Sequence, residues 1–466
     1  MPRVLLLSTY ELGHQPLGLA RPAAELTAAG HVVDCQDLAV DPLDEARVRA
    51  AELIGVSVPM HTATRLGARV AERVRALNPR AHLTFYGLYA GLHADVLLGR
   101  LADSVIGGEF EGPLVALADA LKASFDPAAP IPGVWTVSLD GGTFLGRRAF
   151  GLPRRDLLPP LERYARVDVG DRRKLVGYVE ASRGCAHRCL HCPITPVYAG
   201  RLRIVGQDAV LDDIDQLVRL GAEHITFGDP DFFNGIRHSL RIVEALHAAL
   251  PGVTFDATIK VEHILEHREH IPTLARNGCL FVVSAVEAVQ DHILANFRKG
   301  HSAAAVVEAL RITAAAGLPI RPTFVPFTPW TSRDDYLGLL DFIACHGLVR
   351  HVDPIQLAIR LLVPRGSSLV GTPAMAPHLG PFDPETFSYG WSHPDPRMDG
   401  LQAEVADRVE QAVRAGEDAS DTFAAVVALA EAAAGPDHRP VAPVREPALV
   451  GTARSFVPRL TESWFC

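Results

Sequence analysis

The 466-residue sequence has few cysteines, no long hydrophobic run and no cluster of basic residues. Its apolar runs are shorter than the ~20 residues of a membrane helix, and the run in MPRVLLLSTYELGHQ is also shorter than that of a signal peptide. A net charge of −9 without a basic tract argues against nucleic acid as the main partner. Seven cysteines, an odd number, argue against a disulfide framework, so we expect a protein of the reducing cytoplasm. Because the apolar runs are short, we expect no membrane partner.

The N-terminal region has the pattern of an α/β domain. A chain of 466 residues exceeds what one core usually supports, so two or three domains are expected. Residues 1–121 alternate short apolar strands with helical stretches, which is typical of a doubly wound, Rossmann-like parallel sheet. Ligands of such sheets bind beyond the carboxyl ends of the strands. The candidate loops therefore follow Ser8, Val58, Tyr86 and Ile106.

Three further regions follow along the chain. Residues 122–175 are a Pro-rich linker with a hairpin expected to turn at Asp140–Gly142. Residues 176–365 predict a partial (β/α)6 TIM-like barrel with its active site at the carboxyl ends of the strands. The expected strands are 176–181, 224–227, 254–258, 280–286, 320–324 and 355–359. Residues 366–466 are expected to form a mostly helical extension with a tail.

Three cysteines lie together in ASRGCAHRCLHCPITPVYAG, residues 181–200, directly after the first expected barrel strand. Cys185, Cys189 and Cys192 have CxxxCxxC spacing, and three thiolates this close can hold one metal centre. A [4Fe–4S] cluster on three cysteines leaves one iron open to a small molecule. Zinc is the alternative, since His187 and His191 lie within the motif, but no second cysteine pair supplies the usual fourth ligand.

The cysteine motif, placed after the first strand of a partial barrel, resembles the radical S-adenosylmethionine (SAM) enzymes. The resemblance implies that the open iron binds SAM and that the reduced cluster cleaves it to a 5′-deoxyadenosyl radical, with electrons from a low-potential donor such as flavodoxin or ferredoxin. His191, before the third cysteine, would then border the adenine. ITFGDPDFF takes the place of the motif that binds the amino group of SAM, and SAVEAVQDHIL resembles the motif that holds its ribose. The implied SAM contacts are Gly228, Asp229, Asp231 and Glu287.

The N-terminal region is similar to the cobalamin-binding domain that precedes many radical SAM barrels. PLGLARPAAELTAAGHVVDCQDL and VIGGEFEGPLVALADAL look like its first and last βα units. The family's DxHxxG signature, whose His ligates cobalt, is absent: His14 lies in the right loop, but Leu12 and Leu17 replace the Asp and the Gly. We therefore expect cobalamin without a protein imidazole on cobalt, and the alternative is a structural domain that binds none. The implied cobalamin contacts are Ser57, Thr62, Gly87, Gly107, Gly108 and Glu109.

The two resemblances together imply a cobalamin-dependent radical SAM methyltransferase that acts on an unactivated carbon, or on phosphorus, of a small-molecule substrate. A second hypothesis keeps the cluster and SAM but performs a rearrangement or cyclisation without methyl transfer. A third, of another class, is a non-catalytic metal- or cobalamin-binding sensor. The SAM-like motifs along the barrel argue against the sensor, which would need only the first domain.

Other polar residues have two interpretations. EHILEHREH spaces three histidines along one helix face, which is metal-ligand geometry but is more typical of a solvated surface: His263, His267 and His270. Lys260 would meet a carboxylate at the barrel mouth or extend to solvent. Trp330 is expected in core packing rather than in the wall of a substrate pocket.

The last residues, RLTESWFC, resemble the C-terminal signature of a group of cobalamin-domain radical SAM proteins that end in CUAEP or CCAEP, where U is selenocysteine. Cys466 would match the first letter of that signature. The hypothesis is that the next codon is a UGA for selenocysteine that was read as stop. The alternative is an incidental cysteine on a frayed tail, and the gene sequence past codon 466 distinguishes the two.

Overall fold

The structure is a computed structural model that describes residues 2–123, 126–147, 149–434, 439–444 and 457–462. Cys466, the subject of the tail hypothesis, lies outside these ranges. The described chain is a mixed α/β protein with two parallel sheets, the second of them curled into a half-barrel, and a helical C-terminal region. The predicted fold class is confirmed. Among the described helices, none combines the length and the apolar character needed to cross a membrane.

The first sheet is doubly wound. Its strands are β1 Arg3–Ser8, β2 Val32–Asp37, β3 Leu53–Ser57, β4 His82–Tyr86, β5 Ser104–Ile106 and β6 Val134–Trp135. The spatial order is β2-β1-β3-β4-β5-β6, with β1 to β5 parallel and β6 antiparallel to β5. Helices cover it: α1 Leu17–Ala28, α2 Glu45–Ala50, α3 His61–Leu77, α4 Ala94–Leu97 and α5 Glu111–Lys122. Because the strand order reverses between β1 and β3, the loops after these strands border a crevice.

The second sheet forms the half-barrel. Its strands are β7 Arg166–Val169, β8 Arg172–Val179, β11 His224–Phe227, β12 Thr254–Thr258, β13 Cys279–Glu287 and β14 Ile320–Phe324. Between β8 and β11, the strands β9 Ser182–Gly184 and β10 Leu202–Ile204 form a separate short pair. β8 and β11 to β14 are parallel neighbours in chain order, and β7 pairs antiparallel with β8. The helices are α6 Ile194–Tyr198, α7 Gln207–Arg219, α8 Ile236–Ala249, α9 Val261–Glu266, α10 Ile271–Arg276, α11 Asp291–Phe297, α12 Ala303–Ala315 and α13 Arg333–Cys345.

The sixth expected strand, 355–359, is wrong as a strand. Residues Pro354–Leu357 form a 3₁₀ helix, which a proline at its start favours. The Gln356 side chain accepts a hydrogen bond from the Phe324 backbone N–H at 3.0 Å, so it satisfies one backbone donor at the edge of β14. A single parallel bridge joins Phe327 to Arg360 in place of a ladder. The barrel is therefore open on this side.

The hairpin expected to turn at Asp140–Gly142 is also wrong. The chain reverses earlier, since Thr136 and Leu139 exchange both backbone hydrogen bonds, at 2.9 and 3.3 Å. The segment before this turn, β6, pairs with β5, so part of the predicted linker belongs to the first sheet. The glycines of the expected turn instead lie beside the backbone of this added strand, where the Gly133 N–H donates to the Gly141 carbonyl at 3.0 Å.

The C-terminal region contacts both sheets. Its elements are the antiparallel pair β15 Leu379–Asp383 and β16 Ser388–Trp391, the helices α14 Pro396–Ala415 and α15 Ala419–Ala434, and the strand β17 Arg459–Leu460, which pairs with β7. The two helices bury Leu401 and Phe423 in the half-barrel core. Phe387, between β15 and β16, packs in the core of the first sheet. The boundaries at residues 121, 175 and 365 stay predictions.

Candidate functional site at the mouth of the half-barrel

The cysteine loop lies at the carboxyl end of β8. β9 and β10, which pair antiparallel, close the base of the loop between residues 184 and 202. Gly184 has φ +78°, and a Cβ there would lie 2.3 Å from the Arg201 carbonyl oxygen, so only glycine fits. After the third cysteine, α6 leads the chain back toward β10. The loop is thus held at its base by backbone hydrogen bonds, as a preformed metal site requires.

The three motif thiols are buried to different extents. Cys189 is buried, and Cys185 and Cys192 are half-buried. Burial raises the pKa of Cys185 and raises that of Cys192 to about 12. The Asn234 side-chain oxygen accepts a hydrogen bond from the Ala186 N–H at 3.2 Å, which fixes the start of the loop. Buried thiols become thiolates when a soft metal binds them, so this donor set fits an iron–sulfur cluster.

A buried ion pair lies beside the cysteines. Glu287, at the end of β13, has φ +69° next to a β-bulge, a strained conformation for a residue other than glycine. Its Oε1 accepts from Lys299 Nζ at 3.0 Å and lies 3.2 Å from His191 Nε2. Burial opposes ionisation, but the Lys299 ammonium and His191 hold the pKa of Glu287 well below its usual range. The predicted ribose and adenine residues are therefore in contact with each other.

A cavity of about 270 Å³ opens above this pair. His191 and Pro193 of the cysteine loop and Glu287 line one side, and Tyr89, from the loop after β4, lines the other. The remaining lining is mostly apolar and comes from the ends of β14 and of the open edge: Thr323, Phe324, Val325, Gln356, Ile359, Arg360, Leu361, Leu362 and Pro364. Both sheets thus contribute to one cavity next to the cysteine loop.

The three candidates after β11 occupy different positions. Gly228 lies against Tyr178, since a Cβ there would be 2.0 Å from the tyrosine hydroxyl. Asp229 is buried and accepts from the Ala181 N–H at 2.9 Å and the Ser182 hydroxyl at 2.5 Å. Burial raises the pKa of Asp229 to about 7. It supports the start of the cysteine loop, whereas Asp231 lies nearer the cysteines.

Asp231 meets two histidines. Its Oδ2 lies 2.7 Å from His263 Nδ1 and 3.4 Å from His187 Nε2. Burial opposes ionisation, but the two imidazoles lower the pKa of Asp231. The expectation of one solvated histidine face is wrong for His263, because its side chain is 12% exposed and contacts the buried Asp231 carboxylate. Lys260 meets a carboxylate, as one of its two interpretations predicted, in a short ion pair with Glu262.

The implied cobalamin residues form two groups. Ser57 ends β3, Gly87 directly follows β4, and Thr62 lies in the first turn of α3, near the crevice of the first sheet. Ser57 is buried against Gly18, where a Cβ would lie 2.7 Å from the serine oxygen. Gly87 has φ +106°, a conformation that favours glycine, and it precedes Tyr89 of the cavity by two residues.

Gly107, Gly108 and Glu109 face the linker instead of the cavity. The Phe144 N–H donates to Gly107 at 2.9 Å, and its carbonyl accepts from Glu109 at 2.7 Å. The Glu109 carboxylate accepts from Arg183 at 3.2 Å and from the Tyr198 hydroxyl at 2.8 Å. These residues therefore bind the first sheet to the base of the cysteine loop, and their cobalamin role stays a prediction.

His14 is buried within the half-barrel. Its ring stacks on Tyr178 of β8 with centroids 4.7 Å apart. Burial lowers the pKa of His14 to about 4, so the imidazole is neutral at pH 7. The expectation that His14 is not a cobalt ligand stays a prediction.

Sequence reasoning missed two residues of this site. Lys299 is buried beside the cysteine loop, and Tyr89 brings the first sheet to the cavity. FRKGH follows the ribose motif closely in the sequence, so its lysine could have been predicted as a partner of the Glu287 carboxylate. Trp330, in contrast, packs edge-on against Phe297 with centroids 5.6 Å apart, in agreement with the expected core role.

Fold and site together define a half-barrel protein with a three-cysteine loop at the carboxyl end of its first parallel strand. Residues 179–343 match the model of the Radical SAM superfamily. The chain therefore contains a radical SAM domain, and the resemblance inferred from the cysteine motif is confirmed.

Relatives and solved structures extend this likeness over both sheets. A hopanoid C-3 methylase of Methylococcus capsulatus is 24% identical over 340 residues, which are 71% of this chain and 64% of the methylase. The cobalamin-dependent SAM radical enzyme OxsB, with aqua-cobalamin bound, superposes with a TM-score of 0.69 at 15% identity, over 87% of this chain and 66% of OxsB. The radical SAM methyltransferase TsrM of Kitasatospora setae gives a TM-score of 0.60 at 19% identity, over 74% of this chain and 71% of TsrM. The chain thus spans slightly less than two thirds of the methylase and of OxsB, and these likenesses establish the fold.

Proposed function

We propose that the protein is a cobalamin-dependent radical SAM methyltransferase of a small-molecule substrate, with an unactivated carbon, or phosphorus, as the acceptor. The observation that carries the proposal is the cavity shared by the two sheets, where Tyr89, from the loop after β4, lies opposite His191 of the cysteine loop and Glu287 of β13. The cavity volume of about 270 Å³ is close to the lower end of the range, roughly 300–1,000 Å³, of small-molecule sites. Domain boundaries at residues 121, 175 and 365 are part of the proposal.

Cys185, Cys189 and Cys192 would hold a [4Fe–4S] cluster, which fits because the three thiols belong to one loop closed at its base. The zinc alternative fits less well. In the described chain, the groups whose ligand atoms converge within 4.8 Å, as for a single ion, are His187 with Asp231 and His263, and His263 with Glu266 and His267. The motif thiols form no such group.

The residues around the cavity would orient SAM. Glu287 would accept hydrogen bonds from the ribose, because its carboxylate is kept ionised by Lys299. His191 and the apolar side chains Val325 and Leu361 would enclose the adenine and exclude water. Gly228, Asp229 and Asp231 are the candidates for the end of SAM that carries the amino group.

The loops of the first sheet would hold cobalamin across the barrel mouth. Tyr89 lines the shared cavity and Gly87 precedes it by two residues, and Ser57 and Thr62 would border the neighbouring crevice. Gly107, Gly108 and Glu109 would contribute through the linker that they bind. When bound, the cluster and cobalamin supply the radical and the methyl carrier, and the chain supplies their positions.

Methyl transfer is favoured over rearrangement because the methylase and TsrM are named for it. We place the enzyme in the cytoplasm, where its thiols remain reduced and a flavodoxin or ferredoxin can supply electrons.

The test is anaerobic reconstitution with iron, sulfide and cobalamin. We expect about four irons per chain and dithionite-dependent 5′-deoxyadenosine, both lost when the three motif cysteines are replaced by Ala and both kept in Cys345→Ala, a half-buried thiol outside the motif. S-adenosylhomocysteine should form only when cobalamin is present. A full cluster in the triple variant would overturn the site, and deoxyadenosine without any cobalamin-dependent S-adenosylhomocysteine would favour rearrangement.

A further inference from the structure

Two histidines and an aspartate converge beside the cysteine loop. His187 comes from the loop itself, Asp231 from the turn after β11, and His263 from α9. His187 Nε2, Asp231 Oδ2 and His263 Nδ1 lie mutually within 4.8 Å. Three different segments thus bring one donor atom each to a common point, on the α9 side of the cysteine loop.

These three atoms lack ordinary hydrogen-bond partners. Each is buried, and none makes a hydrogen bond of acceptable geometry, although the Asp231 oxygen lies only 2.7 and 3.4 Å from the two nitrogens. Asp231 itself is 1% exposed, and a buried carboxylate is costly unless groups beside it compensate its charge, here the two imidazoles. Close approach without hydrogen-bond geometry is the arrangement expected of donor atoms that share a cation.

The spacing also suits a metal. Zinc–nitrogen bonds of about 2.0–2.1 Å at tetrahedral angles place two donors about 3.3–3.4 Å apart. The distance from His187 to Asp231 is 3.4 Å, and the distance from His263 to Asp231, 2.7 Å, needs only a small opening.

Glu262 supplies the outer contact that metal-bound histidines usually have. Its Oε2 lies 3.5 Å from His187 Nδ1, the nitrogen that faces away from Asp231. A carboxylate on the far nitrogen fixes the ring orientation and strengthens the ligand. Lys260 in turn pairs with Glu262, so the carboxylate is itself held in place.

We propose that His187, Asp231 and His263 bind a first-row divalent cation, with Glu262 orienting His187. Two imidazoles and one carboxylate suit zinc or iron(II) and leave coordination positions open to a further ligand. Asp231 would then reach SAM through the metal rather than directly. The site is additional to the proposed function, which stands without it, because Asp231 alone can meet an amino group.

The experiment measures zinc on the reconstituted holoenzyme. After chelator treatment and desalting, the protein is titrated with Zn²⁺, freed of excess metal, and analysed for zinc and iron. We expect one zinc beside about four irons in the parent protein and in His270→Gln, a more exposed histidine of the same segment. His263→Gln should lose this zinc while it keeps its iron, and Glu262→Gln should bind zinc 10–100-fold more weakly.

Three results would overturn the metal site. The first is no stoichiometric zinc in the parent protein. The second is a zinc affinity of His263→Gln that equals that of the parent protein. If His263→Gln fails to fold, an unchanged zinc affinity of Glu262→Gln would overturn the site instead. The third is zinc that disappears when the three motif cysteines are replaced by Ala, because the thiols would then have been its ligands. None of these results depends on SAM cleavage, so they are separate from the test of the proposed function.

Discussion

Replacing Lys299 by Met isolates the buried ion pair of the candidate site. The substitution removes the ammonium that lies 3.0 Å from Glu287 Oε1 and keeps most of the apolar stem. Both side chains are at most 10% exposed, so water cannot replace the lost charge. Glu287 would be left with His191 as its partner, at the end of a strained strand.

The structure sets the magnitude of the effect. At 3.0 Å and an effective dielectric constant of about 20, the attraction is about 5–6 kcal/mol, and removing one partner of a buried pair costs about 3–5 kcal/mol. We expect Lys299→Met to lower the free energy of unfolding of the half-barrel by that amount, a fall in Tm of roughly 6–20 °C. Differential scanning calorimetry of the metal-free protein measures it. Arg298→Met is the matched control, since this adjacent cation is exposed and should change stability by less than about 0.5 kcal/mol.

The double variant Lys299→Met with Glu287→Gln tests the cause. It removes the uncompensated carboxylate, so it should recover most of the lost stability while SAM binding stays impaired. If Lys299→Met is no less stable than Arg298→Met, or if the double variant is less stable than the single one, the buried pair does not have the energetic role assigned to it.

Three further predictions concern the fold around the site. Arg155→Met should cost about 3–5 kcal/mol by leaving Asp213 buried without its 3.0 Å partner, and calorimetry of the double variant with Asp213→Leu should show recovery; no recovery contradicts the pairing. Gly184→Ala should lower iron incorporation, because its Cβ would meet backbone at 2.3 Å, whereas Gly206→Ala, with nothing within 4 Å, should reconstitute normally; equal iron contents contradict the argument. The free energy of unfolding should fall by about 2 kcal/mol less between pH 7 and pH 5 in His14→Phe than in the parent protein. The reason is that the pKa of His14 is about 4 in the folded state and 6.5 in the unfolded state, which therefore binds more protons. Urea unfolding at both pH values measures this, and an unchanged pH dependence contradicts it.

Local patterns predicted much of this protein. The cysteine motif could be interpreted because all its ligands lie within eight residues, so no tertiary information was needed. The parallel strands were equally clear, since strands covered on both faces by helices are continuous apolar runs, as in β1. Glu287 was found because SAVEAVQDHIL resembles the ribose motif. His191 was predicted to border the adenine of the same ligand, and the two side chains are in contact.

The remaining features depend on contacts between distant segments. Residues 355–359 have the composition of a strand, but Pro354 and the side-chain bond from Gln356 to β14 favour a 3₁₀ turn. The three histidines of EHILEHREH match a helix period, yet α9 ends after six residues, and His263 turns inward to Asp231. Periodicity carries no information about such partners.

The strand β17 has a consequence for how the chain is made. Arg459 and Leu460 pair with Asp168 and Val167, so the outer edge of the half-barrel sheet is covered by residues that leave the ribosome almost 300 positions after their partners. During synthesis the edge of β7 therefore stays uncovered while the rest of the sheet can already form. Uncovered edges recruit strands from other molecules. A nascent or truncated chain that stops before residue 459 should accordingly depend on chaperones, or aggregate through β7, even though every residue of the candidate site has already been made.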